Sequence, residues 1–459
     1  MQQKAVPPRA HLRSKAHPHP KTPSKQEQNP RRLAARIVRQ AEKGEAYSSA
    51  LLDDELGSIA RADDRALCTE LVYGTLRWHG ALKASVERAC ERKAKVDPAV
   101  WPHLLVAAYQ LQHLSERIPA HAAVNEAVTA VKRIRPGLAG FANAVLRRLG
   151  SAPHVLLRAD AVDAARLSEA FFVPLVLCER ICNVLPKEQW LTAVAAMNER
   201  PTLYARQLHD RAGRQDQFEP HAFVPGAFKM PSQSEQPLDA ALRELHAVIQ
   251  DPGSQTVALL VGAAPGNTVV DLCAAPGTKS MVLKAAVGEA GQVIACDVSA
   301  ERAKRIEQNA KRLGLPVAVV VGDASKHETL RALQGKADKV LVDAPCSGLG
   351  TLRRHPETRF VEPELQRHAQ TQLKLVGAGA GLLKVGGALV YSVCTPMHEE
   401  GEAVIERFLK KHPGFTREPV KTTLPWLPGS ALTPRGDLLL WPHLHDADAF
   451  YAARIVKRS

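Results

Sequence analysis

Two cysteines, Cys346 in VDAPCSGLGTLRRHPE (342–357) and Cys394 in YSVCTP (391–396), each follow an apolar run that reads as a buried strand. Pro345-Cys346-Ser347-Gly348 comes just after an acid, Asp343, and Pro396 closes the second segment, so both thiols are expected on exposed loops. Thiols at strand ends suit nucleophilic attack on a ligand bound beyond the sheet. Such a pair suits one kind of reaction well. Carbon 5 of cytosine is a poor nucleophile until a thiolate adds to C6 and makes the ring enamine-like. C5 can then take a methyl group from a sulfonium, after which the C5 proton leaves and the thiol is eliminated. Asp343 is placed to hydrogen-bond the ring, and two cysteines on neighbouring strand ends could divide attack from release. The residues alone do not choose which cysteine attacks.

A third strand-end segment, VVDLCAAPGTKS (269–280), reads as a cofactor loop. GxGxxG is absent and GxxxxGK[ST] does not match, so neither a dinucleotide nor a P-loop phosphate site is indicated. Ala274 and Ala275 let a ligand approach the backbone, and Pro276-Gly277 turns the chain into a helix. Asp271 ends this strand. Asp297, 20 residues after Gly277, ends the next and is placed to accept from ribose hydroxyls. Asp323, in VVVGDAS, ends the third and could meet an adenine; Asp343 ends the fourth. Each acid alone reads equally well as a cap or turn residue. Four in succession point to a cofactor with a ribose, an adenine and a cationic centre, S-adenosylmethionine.

The elements that must position these residues follow from apolar periodicity. From about 251 onward strand and helix alternate. Strand-like runs are Val269–Cys273, Val293–Cys296, Val317–Val321, Val340–Val342 and Ala388–Val393, with helical patterns at 278–287, 300–313, 327–334, 364–384 and 399–411. Continuous apolar strands joined by helices predict a parallel, doubly wound sheet. Leu438–Trp441 and Phe450–Val456 are expected to close it as an antiparallel hairpin. Residues 33–150 read as all-helical, from stripes such as Leu33/Ile37/Ala41 and Val124/Val128/Val131. Within 151–250, a small connecting subdomain, 161–197 looks helical, and from Pro201 to Pro237 the pattern is too broken for a strand assignment. The expected organisation is a basic disordered tail (1–32), a helical domain (33–150), the connecting subdomain (151–250) and an α/β domain (251–459).

A chain of 459 residues with 45% hydrophobic and 24% charged residues is an ordinary multidomain globular protein. No apolar run approaches the ~20 residues that span a bilayer, and the basic N-terminus lacks the apolar core of a secretory signal, so no membrane partner is expected. The net charge of +14 favours a polyanion. Lys and Arg crowd the first 32 residues, where Glu27 is the one acid; the tail reads equally as a solubilising or a nucleic-acid-tethering arm. Lys132, Arg133, Arg135, Arg147 and Arg148 form a second basic cluster, either a solvated face or an RNA-contacting one. Arg353, Arg354 and His355 are expected beside the site, where they would hold substrate phosphates. The eight cysteines are scattered without a CxxC pair, which fits a reducing cytoplasm and no metal; Cys178 and Cys182 read as buried thiols.

DLCAAPGTK, DAPCSGLGTLRRHPE and the YS-x-C-T segment together resemble the bacterial RNA 5-methylcytosine methyltransferases, most closely the RsmB (Sun/Fmu) ribosomal RNA enzymes. Residues 33–150 look like the NusB-type RNA-binding domain of that family. Asn198-Glu-Arg-Pro201 and Gln250-Asp251 also match its landmarks. The resemblance covers most of the chain. It implies a helical NusB-like domain, a small subdomain and a Rossmann-like S-adenosylmethionine-dependent methyltransferase domain. It also implies a target in RNA, small-subunit rRNA free or in a partly assembled subunit, for a cytoplasmic monomer. Residue by residue, Cys273, Ala274, Ala275, Pro276, Gly277, Thr278 and Lys279 would cradle the methionine part of the cofactor. Asp297 would bind ribose, Asp323 the adenine side, and Asp343 the cofactor edge and target base. Cys394 would be the nucleophile and Cys346 would assist release, with Lys279 and Asp343 completing the catalytic set. Cytosine-5 DNA methyltransferases attack instead with a Pro-Cys cysteine, which makes Cys346 the rival.

The chain departs from the family pattern at Thr278, where the loop usually has Gly or Ser, and at Val393, where Thr usually precedes the nucleophile. It departs again at Ala205-Arg206-Gln207, where Arg-x-Asn is expected, and at Ala447 and Ala449, which replace glycines. Two rival readings remain: the same chemistry on tRNA, another rRNA site or DNA, and an RNA-binding assembly factor without turnover.

Overall fold

A computed structural model describes residues 29–90, 96–151, 163–208, 218–231, 242, 246–326 and 328–459. Most of the tail at 1–32 lies outside the described residues. The chain divides into two compact units, Met1–Glu199 with Leu352–Glu362, and Arg200–Thr351 with Pro363–Ser459.

The first unit is helical: Pro30–Glu42, Ser48–Glu55, Ala62–Arg77, His79–Ala89, Trp101–His113, Ala120–Ile134 and Ala139–Ser151, then Ala164–Phe171, Leu175–Val184 and Trp190–Ala196. Asn29 caps the first helix by accepting from the backbone of Arg31 and Arg32, with Pro30 at the first helical position. The Leu33/Ile37/Ala41 stripe is buried, as are Val124, Val131, Val145 and Leu149. Gly74 is required by close packing, because a Cβ there would sit 2.0 Å from the Tyr109 ring. Lys132, Arg133, Arg135 and Arg147 are exposed, and Arg148 is half-buried.

Leu352–Glu362 belongs to this unit. Ser48 donates from its backbone and hydroxyl to the Glu357 carboxylate, at 3.1 and 2.8 Å. Arg359 donates to the carbonyls of Pro356 (2.9 Å), Arg77 (2.7 Å) and Phe172 (3.3 Å) and to Asn198 Oδ1 (3.0 Å). The expectation for Arg353 is corrected here: the side chain is only 3% exposed, packed within the helical unit rather than presented to a phosphate.

The second unit holds two sheets. A small antiparallel sheet has β1 (Tyr204–Gln207), β2 (Ala227–Lys229) and β3 (Ala247–Ile249), in the order β2-β1-β3. Strands of three or four residues leave too little alternation to read from sequence. The large sheet contains β4 (Thr268–Asp271), β5 (Gln292–Asp297), β6 (Ala318–Val321), β7 (Ala337–Asp343), β8 (Leu383–Val393), β9 (Phe415–Glu418), β10 (Leu438–Leu439) and β11 (Tyr451–Lys457). Its order is β10-β11-β8-β7-β4-β5-β6, parallel from β8 to β6, with β11 antiparallel to β8, β9 and β10. The closing hairpin is present, and β9 is an unexpected addition. The helices Thr278–Val287 and Ala300–Leu313 lie where predicted. The helix expected at 327–334 is reduced to a single tight turn, Arg331–Leu333, because Thr329 Oγ1 donates to the Asp323 carbonyl and Gly335 turns the chain at φ +67°. Among the described residues no helix is long and apolar enough to cross a membrane.

Candidate active site

Chain order reverses across β4, whose neighbours are β7 and β5, and ligands bind beyond the carboxyl ends of parallel strands at such a switch point. Asp271, Asp297 and Asp343 are the last residues of β4, β5 and β7, and Asp323 follows β6 by two residues. The four acids thus line one edge of four adjacent strands.

The loop after β4 enters the helix Thr278–Val287 through Gly277 at φ +99°, a left-handed conformation that glycine adopts without strain. Its backbone is tied to the neighbouring strand: Ala274 N–H donates to the Cys296 carbonyl at 2.9 Å and Ala275 N–H to Asp297 Oδ2 at 3.3 Å. Asp297 is buried, also accepts from Ser299 N–H (3.0 Å) and lies 3.2 Å from Arg302. Asp323 is held by its own turn, accepting from Ser325 N–H (3.0 Å) and Oγ (2.7 Å), and these bonds lower its pKa. Asp271 is different. Burial pushes its pKa up to about 7; Oδ2 accepts from Ser280 Oγ at 2.7 Å, while Oδ1 has no hydrogen-bond partner among the described residues. A buried acceptor without a donor, beside a row of carboxylates, fits a ligand carrying N–H, O–H and cationic groups. S-adenosylmethionine carries all three.

Lys279, the second residue of that helix, reaches Asp343 Oδ2 at 2.6 Å, and Ser392 Oγ donates to Asp343 Oδ1 at 2.7 Å. Burial opposes the Lys279 charge, but Asp343 and, further off, Asp271 keep its pKa above the ordinary lysine value. Its ammonium also sits 5.7 Å from the centre of the Phe450 ring.

β7 and β8 run parallel with Asp343 opposite Ser392, so their ends are level and the segments beyond them converge. Cys346 and Cys394 Sγ are 3.3 Å apart, and either can donate to the other. Gly350 N–H donates to the Cys394 carbonyl and Ala449 N–H to the Gly350 carbonyl, both at 3.0 Å. A Cβ at Gly350 would lie 2.0 Å from the Ala449 oxygen, so glycine is needed where these three loops meet. Both thiols are half-buried rather than freely exposed. The hydrogen bond that Cys346 shares with Cys394, with the Cys346 thiol as donor, then burial, raises its pKa well above that of a free thiol. Cys273, the other cysteine of the region, is pushed up by burial and by the surrounding acids, so it makes a poor nucleophile. Val393 is fully buried in the core, on the opposite face of β8 from Ser392.

The expected residues thus form two clusters, Lys279/Asp343 and Cys346/Cys394, with Asp297 tied to the cofactor loop and Asp323 turned onto Ser325. Sequence reasoning missed Ser392, Phe450 and Glu400. The first two carry no motif of their own. Glu400 stands six residues beyond Cys394 and looks like a solvated charge in MHEEGE.

Residues 258–456 match the family described as 16S rRNA methyltransferase RsmB/F, and residues 28–151 match the NusB family. Ribosomal RNA small subunit methyltransferase B of Salmonella paratyphi B is 31% identical, over 95% of this chain and 100% of the relative. The protein of that name from Citrobacter koseri is also 31% identical, over 94% and 99%. Among solved structures, PH0851 superposes with a TM-score of 0.73 at 24% identity, covering 93% of this chain and 99% of that one. NSun6 from Pyrococcus horikoshii, with SFG, gives 0.52 at 20% identity, covering 62% and 99%. These two likenesses speak to the fold.

Proposed function

Given that the chain belongs to the RsmB family of S-adenosylmethionine-dependent rRNA methyltransferases, we propose that it methylates C5 of a cytosine in small-subunit rRNA through a covalent bond between Cys394 and C6. The observation that carries this reading is the 3.3 Å thiol pair beside the Lys279–Asp343–Ser392 cluster.

The cofactor is held by the loop Cys273–Lys279, with Asp297 toward its ribose and Asp323 toward its adenine. Bound there, S-adenosylmethionine supplies an electrophilic methyl group on a sulfonium. The target cytosine must leave its stack to reach the strand ends. Cys394 Sγ, as the thiolate, would form the bond to C6, the C5=C6 electron pair would move onto C5, and C5 would take the methyl carbon as the methyl–sulfur bond breaks and leaves its electron pair on sulfur. Asp343, held by Lys279 and Ser392, orients the base at its N3 edge. The C5 proton then passes to water, the double bond re-forms and the C6–S bond breaks. Its electron pair returns to Cys394 Sγ, where the Cys346 thiol supports the departing thiolate by hydrogen bonding. The 3.3 Å separation supports this division, because a protonated Cys346 at that distance can donate to the Cys394 sulfur.

Bisulfite sequencing of rRNA from cells lacking the gene, complemented with wild type or Cys394→Ala, tests the reading. One small-subunit cytosine should lose its mark without the gene and regain it only with wild type. Restoration by Cys394→Ala, or no lost mark, overturns it.

A further inference from the structure

Glu400 is fully buried, 0% exposed, and lies beyond the Cys394 loop. Its carboxylate reaches back to the other cysteine. Oε1 accepts from Ser347 N–H at 2.8 Å and Oε2 from Ser347 Oγ at 2.5 Å. Gln372 Nε2 bridges the same Oε1 (3.4 Å) and the Pro345 carbonyl (3.0 Å), so both neighbours of Cys346 are held. His368 Nδ1 lies 3.0 Å from Oε1, and Tyr391 donates its hydroxyl to the Glu400 backbone carbonyl. Burying a carboxylate costs several kcal/mol unless hydrogen bonds compensate, so this one is an expensive way to fix a loop.

Its placement makes the thiol pair electrostatically lopsided. The negative charge of Glu400 acts on Cys346. On the other side, the Lys279 ammonium is bonded to Asp343, which stands opposite Ser392, two residues before Cys394. A carboxylate bonded next to one cysteine and an ammonium–carboxylate pair near the other bias where a shared proton rests.

We propose that Glu400 is a positioning residue that fixes the Cys346 loop through Ser347 and assigns the pair's shared proton to Cys346, leaving the thiolate on Cys394. This rests on the reading of Cys394 as nucleophile and explains how two neighbouring cysteines take different roles. It also makes the first half of the reaction depend on a fully buried residue.

The test is site-resolved alkylation of the full-length protein with iodoacetamide, read by peptide mass spectrometry. Wild type is labelled first at Cys394. Glu400→Gln, which removes the charge at constant size, shifts the Cys394:Cys346 labelling ratio toward Cys346 by about tenfold or more. Glu400→Asp, which retains the charge, stays close to wild type. Should Glu400→Gln fail to fold, Glu400→Leu, which also removes the charge at similar size, is read in the same direction. An unmoved ratio in the folded variant, or wild type labelled first at Cys346, overturns the inference. RNA containing 5-fluorocytidine, trapped on wild type and peptide-mapped, separates the two claims. An adduct at Cys394 with an unmoved ratio sinks only the role of Glu400; an adduct at Cys346 sinks the nucleophile assignment itself.

Discussion

Two enclosed cations, Lys279 in the α/β unit and Arg359 in the helical unit, are held in opposite ways. Lys279 faces a carboxylate, Asp343, at 2.6 Å, and the pair keeps some exposure, 13% and 24% of the side chains. Among the described residues Arg359 has no carboxylate as a hydrogen-bond acceptor; it ties together three carbonyls and an amide. Burial and the nearby Arg77 pull its pKa down, although a guanidinium keeps its proton in such surroundings. The acceptors define the roles. A cation satisfied by backbone carbonyls clasps chain segments, here 352–362 to the helices. A cation paired with a carboxylate at a strand end leaves that carboxylate oriented and charged for a ligand.

Substitutions sharpen the contrast. The largest effect is expected at the site. Asp343→Asn removes the counter-charge of Lys279 and leaves one acceptor oxygen where two had served Lys279 and Ser392, and should lower the methylation rate by about 100-fold or more, measured with tritiated cofactor and rRNA. A folded Asp343→Asn with unchanged turnover would reduce the Lys279–Asp343 pair to a structural contact. Arg359→Met should do the reverse. It should cost about 3 kcal/mol or more of unfolding free energy in a denaturant titration, yet leave cofactor affinity within about twofold by calorimetry. Lost cofactor affinity in a stable Arg359→Met would break the comparison.

Asp271 gives a smaller, pH-dependent test. Its folded pKa of about 7 lies above the ordinary carboxyl value. A raised carboxyl pKa stabilises the fold below the unfolded value, near 4, and that contribution is lost as pH rises through about 7. Wild type should therefore lose stability over this window relative to Asp271→Asn, in which the slope is flattened. Equal slopes in denaturation at pH 5 and pH 8 would contradict the burial argument. The smallest effect is expected at Val393, whose side chain faces the core. Val393→Thr buries a hydroxyl and should cost about 1–3 kcal/mol of stability without a gain in rate. A faster Val393→Thr would show that the residue before Cys394 reaches the site after all.

Strand-end acids and cysteines were legible in the sequence because a parallel sheet ties motif order to geometry: once β4, β5, β7 and β8 are recognised, Asp271, Asp297, Asp343, Cys346 and Cys394 must share one edge. What stayed hidden depends on register or on folding back. The 3.3 Å approach of the thiols follows from Asp343 standing opposite Ser392, which no spacing reveals. Arg353 resembles a phosphate ligand in LRRHPE, but the segment packs among helices encoded almost 300 residues earlier, through bonds such as Arg77 to the Arg353 carbonyl. Glu400 is polar in sequence and fully buried in the fold, because Ser347, Gln372 and His368 converge on it from two other segments. The short strands β1 to β3 were lost for the simpler reason that three or four residues show no period.

The most direct test of the account is to express wild type, Cys346→Ala and Cys394→Ala and measure RNA that stays bound through denaturing electrophoresis. Cys346→Ala should accumulate the covalent adduct, since attack proceeds and release loses its donor, while Cys394→Ala carries none. Accumulation on Cys394→Ala instead would contradict the assignment and make Cys346 the nucleophile.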